Sequence, residues 1–143
     1  MSYIQNRKKI DLKNNDIRKI ESYFKNIILK IPNDPEEYDE YIKEIKNYAE
    51  HLRDKGVTTS QIRKVYSQVM NSNNVMELKK LRPKLAYIVG KNEKNGALRN
   101  FIDVLDTGIN KLNNNEPENK ELNNFKEFLE TIVAYRKYVG NDK

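Results

Sequence analysis

The 143-residue chain contains no cysteine, and it has only one histidine, five glycines and four prolines. Without cysteine there is no disulfide, no thiolate metal site and no thiol nucleophile. The histidine, His51, has no second histidine one helical turn away, so we expect a surface or capping role rather than a zinc site. The glycines stand singly, so no glycine-rich loop can hold a phosphate group, and the acidic residues between 34 and 40 match no calcium-binding loop. We therefore expect no catalytic residue, no metal ion and no cofactor.

Long apolar runs are missing as well. No stretch approaches the roughly 20 apolar residues that a transmembrane helix needs. The N-terminal segment is charged, but it lacks the apolar run and the small-residue cleavage site of a signal peptide. The sequence therefore predicts a cytoplasmic protein without a membrane partner.

Charge is what the chain has in excess. Charged residues make up 34% of the sequence and hydrophobic residues 37%, a balance typical of a charge-rich helical protein rather than of a β-sandwich or a disordered chain. Lysine and arginine total 27 against 21 aspartate and glutamate residues, which gives a net charge of +6 and a pI near 9.3. If this excess lies on one face, it favours an anionic partner such as nucleic acid.

The most informative stretch of the chain is residues 57–70. Thr58 is followed three residues later by Gln61, which is the pattern of a helix-starting capping box. Because apolar residues follow at helical spacing on one side of this predicted helix, Arg63 and Lys64 must point away from the core. The predicted buried residues are Ile62, Val65, Tyr66, Val69 and Met70.

Similar apolar spacing predicts further helices before and after this stretch. Asp34 followed by Pro35 is a typical helix start, and Pro83 must kink or split the helix in which it lies. No run with strand spacing is present. The sequence thus predicts an all-α fold, a single-domain bundle of five to six helices over residues 16–143, preceded by a flexible basic arm over residues 1–15.

Basic residues on the predicted outer faces are the candidates for binding. In the helix that contains Pro83 they recur at helical spacing together with Tyr87, so that an aromatic ring lies in a basic stripe. The basic residues at the end of the last helix are also explained by a favourable interaction with the helix C-terminus. Taken one by one, all of them could be ordinary solvated side chains. The candidate nucleic-acid-binding residues are Lys55, Arg63, Lys64, Lys80, Arg82, Lys84, Lys91, Arg136 and Lys137.

Three segments together resemble a known family. They are residues 57–66 with their Thr-Thr-Ser-Gln helix start, residues 81–87 with the sequence Arg-Pro-Lys, and residues 125–138 with the run Ala-Tyr-Arg-Lys-Tyr. Their order and spacing are similar to those of the small helical subunit of type III-A CRISPR effector complexes, the Csm complexes. The resemblance covers roughly residues 35–140.

The resemblance implies a non-catalytic RNA-binding subunit for antiviral defence, several copies of which stack along the complex beside the subunits that hold the guide RNA. Its partners would be the target RNA, the guide RNA, the other effector subunits and further copies of itself. In this family RNA cleavage belongs to the neighbouring backbone subunit, and DNA cleavage and cyclic-oligoadenylate synthesis belong to the large subunit. The basic residues of the matching segments would face RNA, namely Arg63, Lys64, Arg82, Lys84, Arg136 and Lys137.

The chain departs from the family pattern at three places. Val65 stands where a larger aromatic residue is usual, Lys91 stands where an arginine is usual, and Arg136 stands where a histidine is frequent. Charge or packing volume is broadly kept, so these differences concern individual contacts. Two other functions stay open, a helical protein-interaction adaptor whose basic faces are only solvated, and a helix-turn-helix DNA regulator with residues 59–71 as recognition helix.

Overall fold

The computed structural model describes residues 2–113 and 119–140, and of residues 2–14 the backbone alone. Within these ranges the chain forms seven α-helices and no strand. One of the helices is a single turn of five residues, so the predicted all-α bundle of five to six helices is confirmed. The helices are α1 Ser2–Ile27, α2 Pro35–Asp54, α3 Thr59–Met70, α4 Val75–Lys79, α5 Arg82–Lys91, α6 Gly96–Lys111 and α7 Lys120–Val139.

The first helix includes most of the segment that the sequence predicts to be a flexible arm. Its backbone is helical from Ser2 onward, although the sequence of residues 1–15 shows no clear helical spacing of apolar residues. From Ile17 the apolar residues at helical spacing are buried in the bundle, including Ile20 and Phe24. The division of the chain into a flexible basic arm over residues 1–15 and a helical domain over residues 16–143 stays a prediction.

The sequence signals at the starts of α2 and α3 act as predicted. The Asp34 carboxylate accepts hydrogen bonds from the backbone N–H groups of Glu36 and Glu37, at 3.1 and 3.2 Å. The Thr58 hydroxyl accepts from the Gln61 N–H at 3.1 Å, and the Gln61 side chain accepts from the Thr58 N–H at 3.0 Å. Each helix therefore begins at a residue that its own side-chain chemistry determines.

The proline splits its helix rather than kinking it. Lys80 is the C-terminal cap of α4, Leu81 precedes α5, and Pro83 lies in the first turn of α5. In a first turn the missing N–H of proline has no helical partner to lose, so this position does not strain the helix. The stretch from Val75 to Lys91 is therefore two helices, with Lys80 and Leu81 between them.

The bundle is organised around α7, which packs against both α2 and α3. The start of α3 lies beside the end of α7, because Arg136 bonds to Val57, and the end of α3 lies beside the first half of α7, where Lys126 bonds to Ser72. The two helices are therefore antiparallel. Helix α6 packs against α1 on one side and α5 on the other.

Aromatic rings fill the core where α1, α2, α6 and α7 meet. Phe24 lies edge-on to Tyr48 and to Phe128, with ring centroids 5.2 and 5.0 Å apart, and Tyr48 lies 6.3 Å from Phe101. Such tilted and edge-on pairs are the favoured arrangement of aromatic side chains. No helix in the described part of the chain has both the length and the apolar character that crossing a bilayer requires.

Candidate nucleic-acid interface

The positive charge of the chain is concentrated in one stretch. Residues 55–92 contain eight lysine or arginine residues and a single acidic residue, Glu77. The rest of the chain contains nineteen basic and twenty acidic residues and is therefore close to neutral. We call residues 55–92 the basic segment. It forms α3, α4, α5 and the loops that adjoin them.

Six cationic residues of the basic segment are exposed, and their side chains make no hydrogen bond or ion pair with any residue that the structure describes. They point outward because apolar residues occupy the core side of each helix. In α3, for example, Ile62 and Val65 are at most 1% exposed, which turns Arg63 and Lys64 toward solvent. We call these six residues the basic surface, and they are Lys55, Arg63, Lys64, Lys80, Lys84 and Lys91.

Side-chain hydrogen bonds hold the ends of α2, α3 and α5 together. The Gln61 amide donates to the Asn92 side-chain oxygen at 3.4 Å, which joins the first turn of α3 to the end of α5. The Asn95 amide donates to the Lys55 carbonyl at 3.2 Å, which joins the same region to the end of α2. Lys64 follows Gln61 by about one turn, and Lys91 precedes Asn92 directly. The end of α2, the start of α3 and the end of α5, which carry Lys55, Lys64 and Lys91, are therefore adjacent.

The basic stripe that the sequence predicts from Lys80 to Lys91 is shorter in the structure. Because α4 ends before Lys80 and α5 begins at Arg82, Lys80 lies outside α5 and is not part of its helical spacing. Lys84, Tyr87 and Lys91 remain on α5 at intervals of three and four residues, and all three are exposed. The stripe is therefore confined to α5, and Lys80 stands at the end of α4.

Arg82 differs from the six exposed cations because a carboxylate already holds it. Its guanidinium donates to both oxygens of Asp106, at 2.7 and 3.0 Å, and to the Asn110 side chain at 3.3 Å. The hydrogen bond and the negative charge of Asp106 raise the pKa of Arg82. A bidentate pair of this kind fixes the orientation of the arginine. The sequence predicts that Arg82 faces RNA; in the structure its guanidinium is held by Asp106, so Arg82 is not counted among the six unpaired cations.

Arg136 is the second correction. Its side chain is 1% exposed, and it donates to the Val57 carbonyl and to the Gly140 carbonyl, each at 3.0 Å. The guanidinium therefore joins the end of α7 to the loop before α3 from inside the fold. A ligand on the surface cannot reach it, and we leave Arg136 out of the interface.

Lys137, the neighbour of Arg136, is exposed at the end of α7. The Arg53 guanidinium donates to the Val139 carbonyl at 3.0 Å, so this end of α7 lies beside the end of α2 and hence near Lys55. Lys137 therefore lies at the same end of the bundle as part of the basic surface, although it belongs to a different segment.

Buried titratable groups lie elsewhere in the bundle. His51 is 9% exposed and its ring lies 5.8 Å from that of Tyr48, so it is largely buried and does not take the surface position that the sequence predicts as one of two roles. The other predicted role, capping, stays a prediction. The Tyr48 hydroxyl donates to Glu21 at 2.8 Å. Burial raises the pKa of Glu21, and this hydrogen bond and Lys25 oppose the shift. The described part of the chain holds no group of three or more His, Asp or Glu side chains arranged to bind a metal ion.

A groove of about 670 Å³ runs between α5 and α6, on the side of α5 that faces away from its lysines. Leu85, Ala86, Val89 and Ile102 contribute apolar atoms to its lining, and Arg82 and Asp106 are among its polar residues. Helix α5 therefore carries the lysine stripe on one side, and on another side the groove, whose lining includes the core residues Leu85 and Val89.

Comparison with known proteins gives one match. A family model described as Csm2 Type III-A matches residues 35–142 of the chain. These residues include α2 to α7 and the whole basic segment, whereas α1 lies outside the match. Searches of curated proteins and of solved structures found no match.

Proposed function

Because the chain belongs to the Csm2 family, and is therefore a subunit of a type III-A CRISPR effector complex, we propose that it binds RNA through its basic surface. In this proposal it is a non-catalytic small subunit that contacts the phosphate backbone of target RNA and of the guide paired with it. Several copies stack in the complex beside the other effector subunits, and the complex acts in the cytoplasm in antiviral defence.

The observation that supports this proposal most strongly is the distribution of charge. A protein whose cations only keep it soluble needs no particular arrangement of them, and its acidic and basic residues are commonly mixed. In this chain the entire basic excess lies in residues 55–92, where Glu77 is the only carboxylate. The side chains of the six cations of the basic surface also form no ion pair with a carboxylate in the described ranges of the chain. Such a surface favours a polyanion.

The chemistry of the surface fits contacts to phosphates rather than to base edges. Lysine ammonium groups on flexible side chains bind phosphate as point charges and carry no sequence information. A subunit that follows an RNA of arbitrary sequence needs this property. If each copy contacts about five phosphates, a single-strand slope of roughly 0.7 per phosphate lowers the affinity about a hundredfold between about 50 and about 200 mM salt.

The adaptor function that the sequence left open has one observation in its favour. The groove between α5 and α6 exposes apolar side chains such as Ala86 beside the Arg82 and Asp106 pair, and apolar grooves often receive helices of other proteins. The groove and the basic surface lie on different sides of α5. Mutations in the basic surface therefore test RNA binding without altering this groove.

The test is a charge reversal within the basic surface. The variant Arg63→Glu, Lys64→Glu, Lys84→Glu is compared with a control variant in which Lys19, Lys30 and Lys43, all exposed and outside the basic segment, are changed to glutamate. Both variants change the net charge equally. Fluorescence polarisation with labelled single-stranded RNA and with a guide–target duplex gives the affinities, and circular dichroism verifies the fold.

We expect the basic-surface variant to lose affinity about tenfold or more and its salt slope to fall by about 2, because about three phosphate contacts are removed. The control variant should lose much less. If both variants lose affinity equally, net charge alone explains the binding. If neither loses affinity while both still join the effector complex, the adaptor function replaces the proposal.

A further inference from the structure

Tyr87 is the most exposed of the tyrosines whose side chains the structure describes. Its exposed fraction is 71%, whereas Tyr41 and Tyr48 are fully buried. The two other tyrosines with large exposure are engaged with neighbours, since Tyr38 lies 5.6 Å from the ring of Tyr41 and Tyr138 lies under the Lys46 ammonium at 5.3 Å. The Tyr87 ring makes no contact of this kind with any described residue. Its ring is therefore available to a ligand.

The packing of α5 does not require an aromatic ring at this position. The core side of the helix is provided by Leu85 and Val89, which are 1% and 8% exposed. Tyr87 points away from them, toward the side that carries the lysine stripe. A large exposed ring contributes little to the stability of a helix. Its presence there therefore suggests a role in binding.

The surroundings of the ring are cationic on both sides along the helix. Lys84 precedes Tyr87 by three residues and Lys91 follows it by four, so that all three lie on one side of α5. Lys84 and Lys91 are roughly 10 Å apart along the helix axis, with the ring between them. No acidic residue occurs in α3 or α5. An aromatic face between cations is the arrangement that single-stranded nucleic acid-binding surfaces use to stack a base and hold its phosphates.

We propose that Tyr87 is a stacking platform for an unpaired nucleobase, and that Lys84 and Lys91 bind the phosphates on either side of that base. This inference rests on the proposed function and adds a ligand class to it. A ring can stack only on a base whose face is free. The site therefore takes single-stranded RNA, or a nucleotide turned out of a helix, and not a continuous duplex.

The test uses the absence of tryptophan from the chain. In the variant Tyr87→Trp, tryptophan emission reports position 87 alone. The protein is titrated with an oligoadenylate and with an abasic ribose-phosphate oligomer of the same length, which has the same charge but no bases. Polarisation of a label on each oligomer measures binding independently of the tryptophan signal. The control variant is Tyr38→Trp, because Tyr38 is exposed at 39% but lies in the first turn of α2, outside the basic segment and at the other end of that helix from Lys55.

We expect the oligoadenylate to quench the emission of Tyr87→Trp and the abasic oligomer to leave it unchanged, although both bind. The emission of Tyr38→Trp should respond to neither. Tyr87→Ala should lower the affinity for the oligoadenylate about tenfold and leave the affinity for the abasic oligomer unaltered, and Tyr87→Phe should retain both.

The two proposals fail in different ways. If both oligomers bind but the emission is unchanged, or changes equally with both, the stacking inference is overturned and phosphate binding stands. If neither oligomer binds the wild-type protein at low salt, RNA binding itself is contradicted, and the stacking inference falls with it.

Discussion

Arg136 should stabilise the fold and contribute nothing to RNA binding, although its place in the sequence suggests the opposite. The informative substitution is Arg136→Met, which keeps a long side chain but removes every hydrogen-bond donor. In the wild-type protein the guanidinium donates to the carbonyls of Val57 and Gly140 from a position that is 1% exposed. The methionine can fill the space but cannot donate to either carbonyl.

The size of the effect follows from the two carbonyl groups. Val57 is fully buried, and leaving a buried acceptor without a donor costs about 1–3 kcal/mol. Gly140 is partly exposed, so its carbonyl can bond to water instead. We therefore expect the free energy of unfolding to fall by about 2 kcal/mol. For a chain of this length the melting temperature changes by about 3 °C per kcal/mol, which gives a decrease of about 6 °C.

Thermal and urea unfolding followed by circular dichroism measure the stability, and polarisation with labelled RNA measures the affinity at a temperature where the variant is fully folded. Lys137→Met is the matched control, because Lys137 is adjacent but exposed, and its stability should change by less than about 0.5 kcal/mol. The reasoning would be refuted by an Arg136→Met variant that keeps its melting temperature and loses RNA affinity, since the arginine would then face the ligand.

Two further predictions concern the core. A Cβ atom at Gly108 would lie 3.0 Å from Ile28 Cγ2 and 3.1 Å from Phe125 Cε2, whereas one at Gly90 would meet nothing within 4 Å. Gly108→Ala should therefore destabilise the fold by about 1–3 kcal/mol, whereas Gly90→Ala should be neutral or stabilise it by up to about 1 kcal/mol. Equal melting temperatures of the two variants would contradict the packing described. Burial raises the pKa of Glu21 above its ordinary value of 4.5, so the folded protein holds this proton more tightly than the unfolded chain. The free energy of unfolding of the wild-type protein, taken relative to that of Glu21→Gln, should therefore decrease as the pH rises from below 4.5 through the raised pKa. Urea unfolding at a series of pH values measures this difference, and an increase with pH would contradict a buried carboxyl.

The parts of the fold that sequence alone predicts are those determined by local chemistry. The capping box at Thr58 and the start of α2 after Asp34 depend on residues within three positions of each other. The effect of Pro83 is also local, because the lack of an N–H limits the proline to the first turn of a helix or to a break. The helical spacing of apolar residues then assigns the core, and the all-α bundle follows.

The parts of the interface that sequence reasoning missed depend on partners far away in the chain. Arg136 bonds to a carbonyl 79 residues distant, and Arg82 pairs with Asp106, which is 24 residues away. A basic residue looks the same in a sequence whether it is exposed or held by such a partner.

The concentration of charge in residues 55–92 has a consequence for the order of assembly. This stretch has seven more positive than negative charges, and the remainder of the chain is nearly neutral. Copies placed side by side with these surfaces aligned would repel one another. A nucleic acid lying across the row would cancel that repulsion, so we expect it to act as the template on which successive copies collect, and a row without RNA should come apart as the ionic strength is lowered.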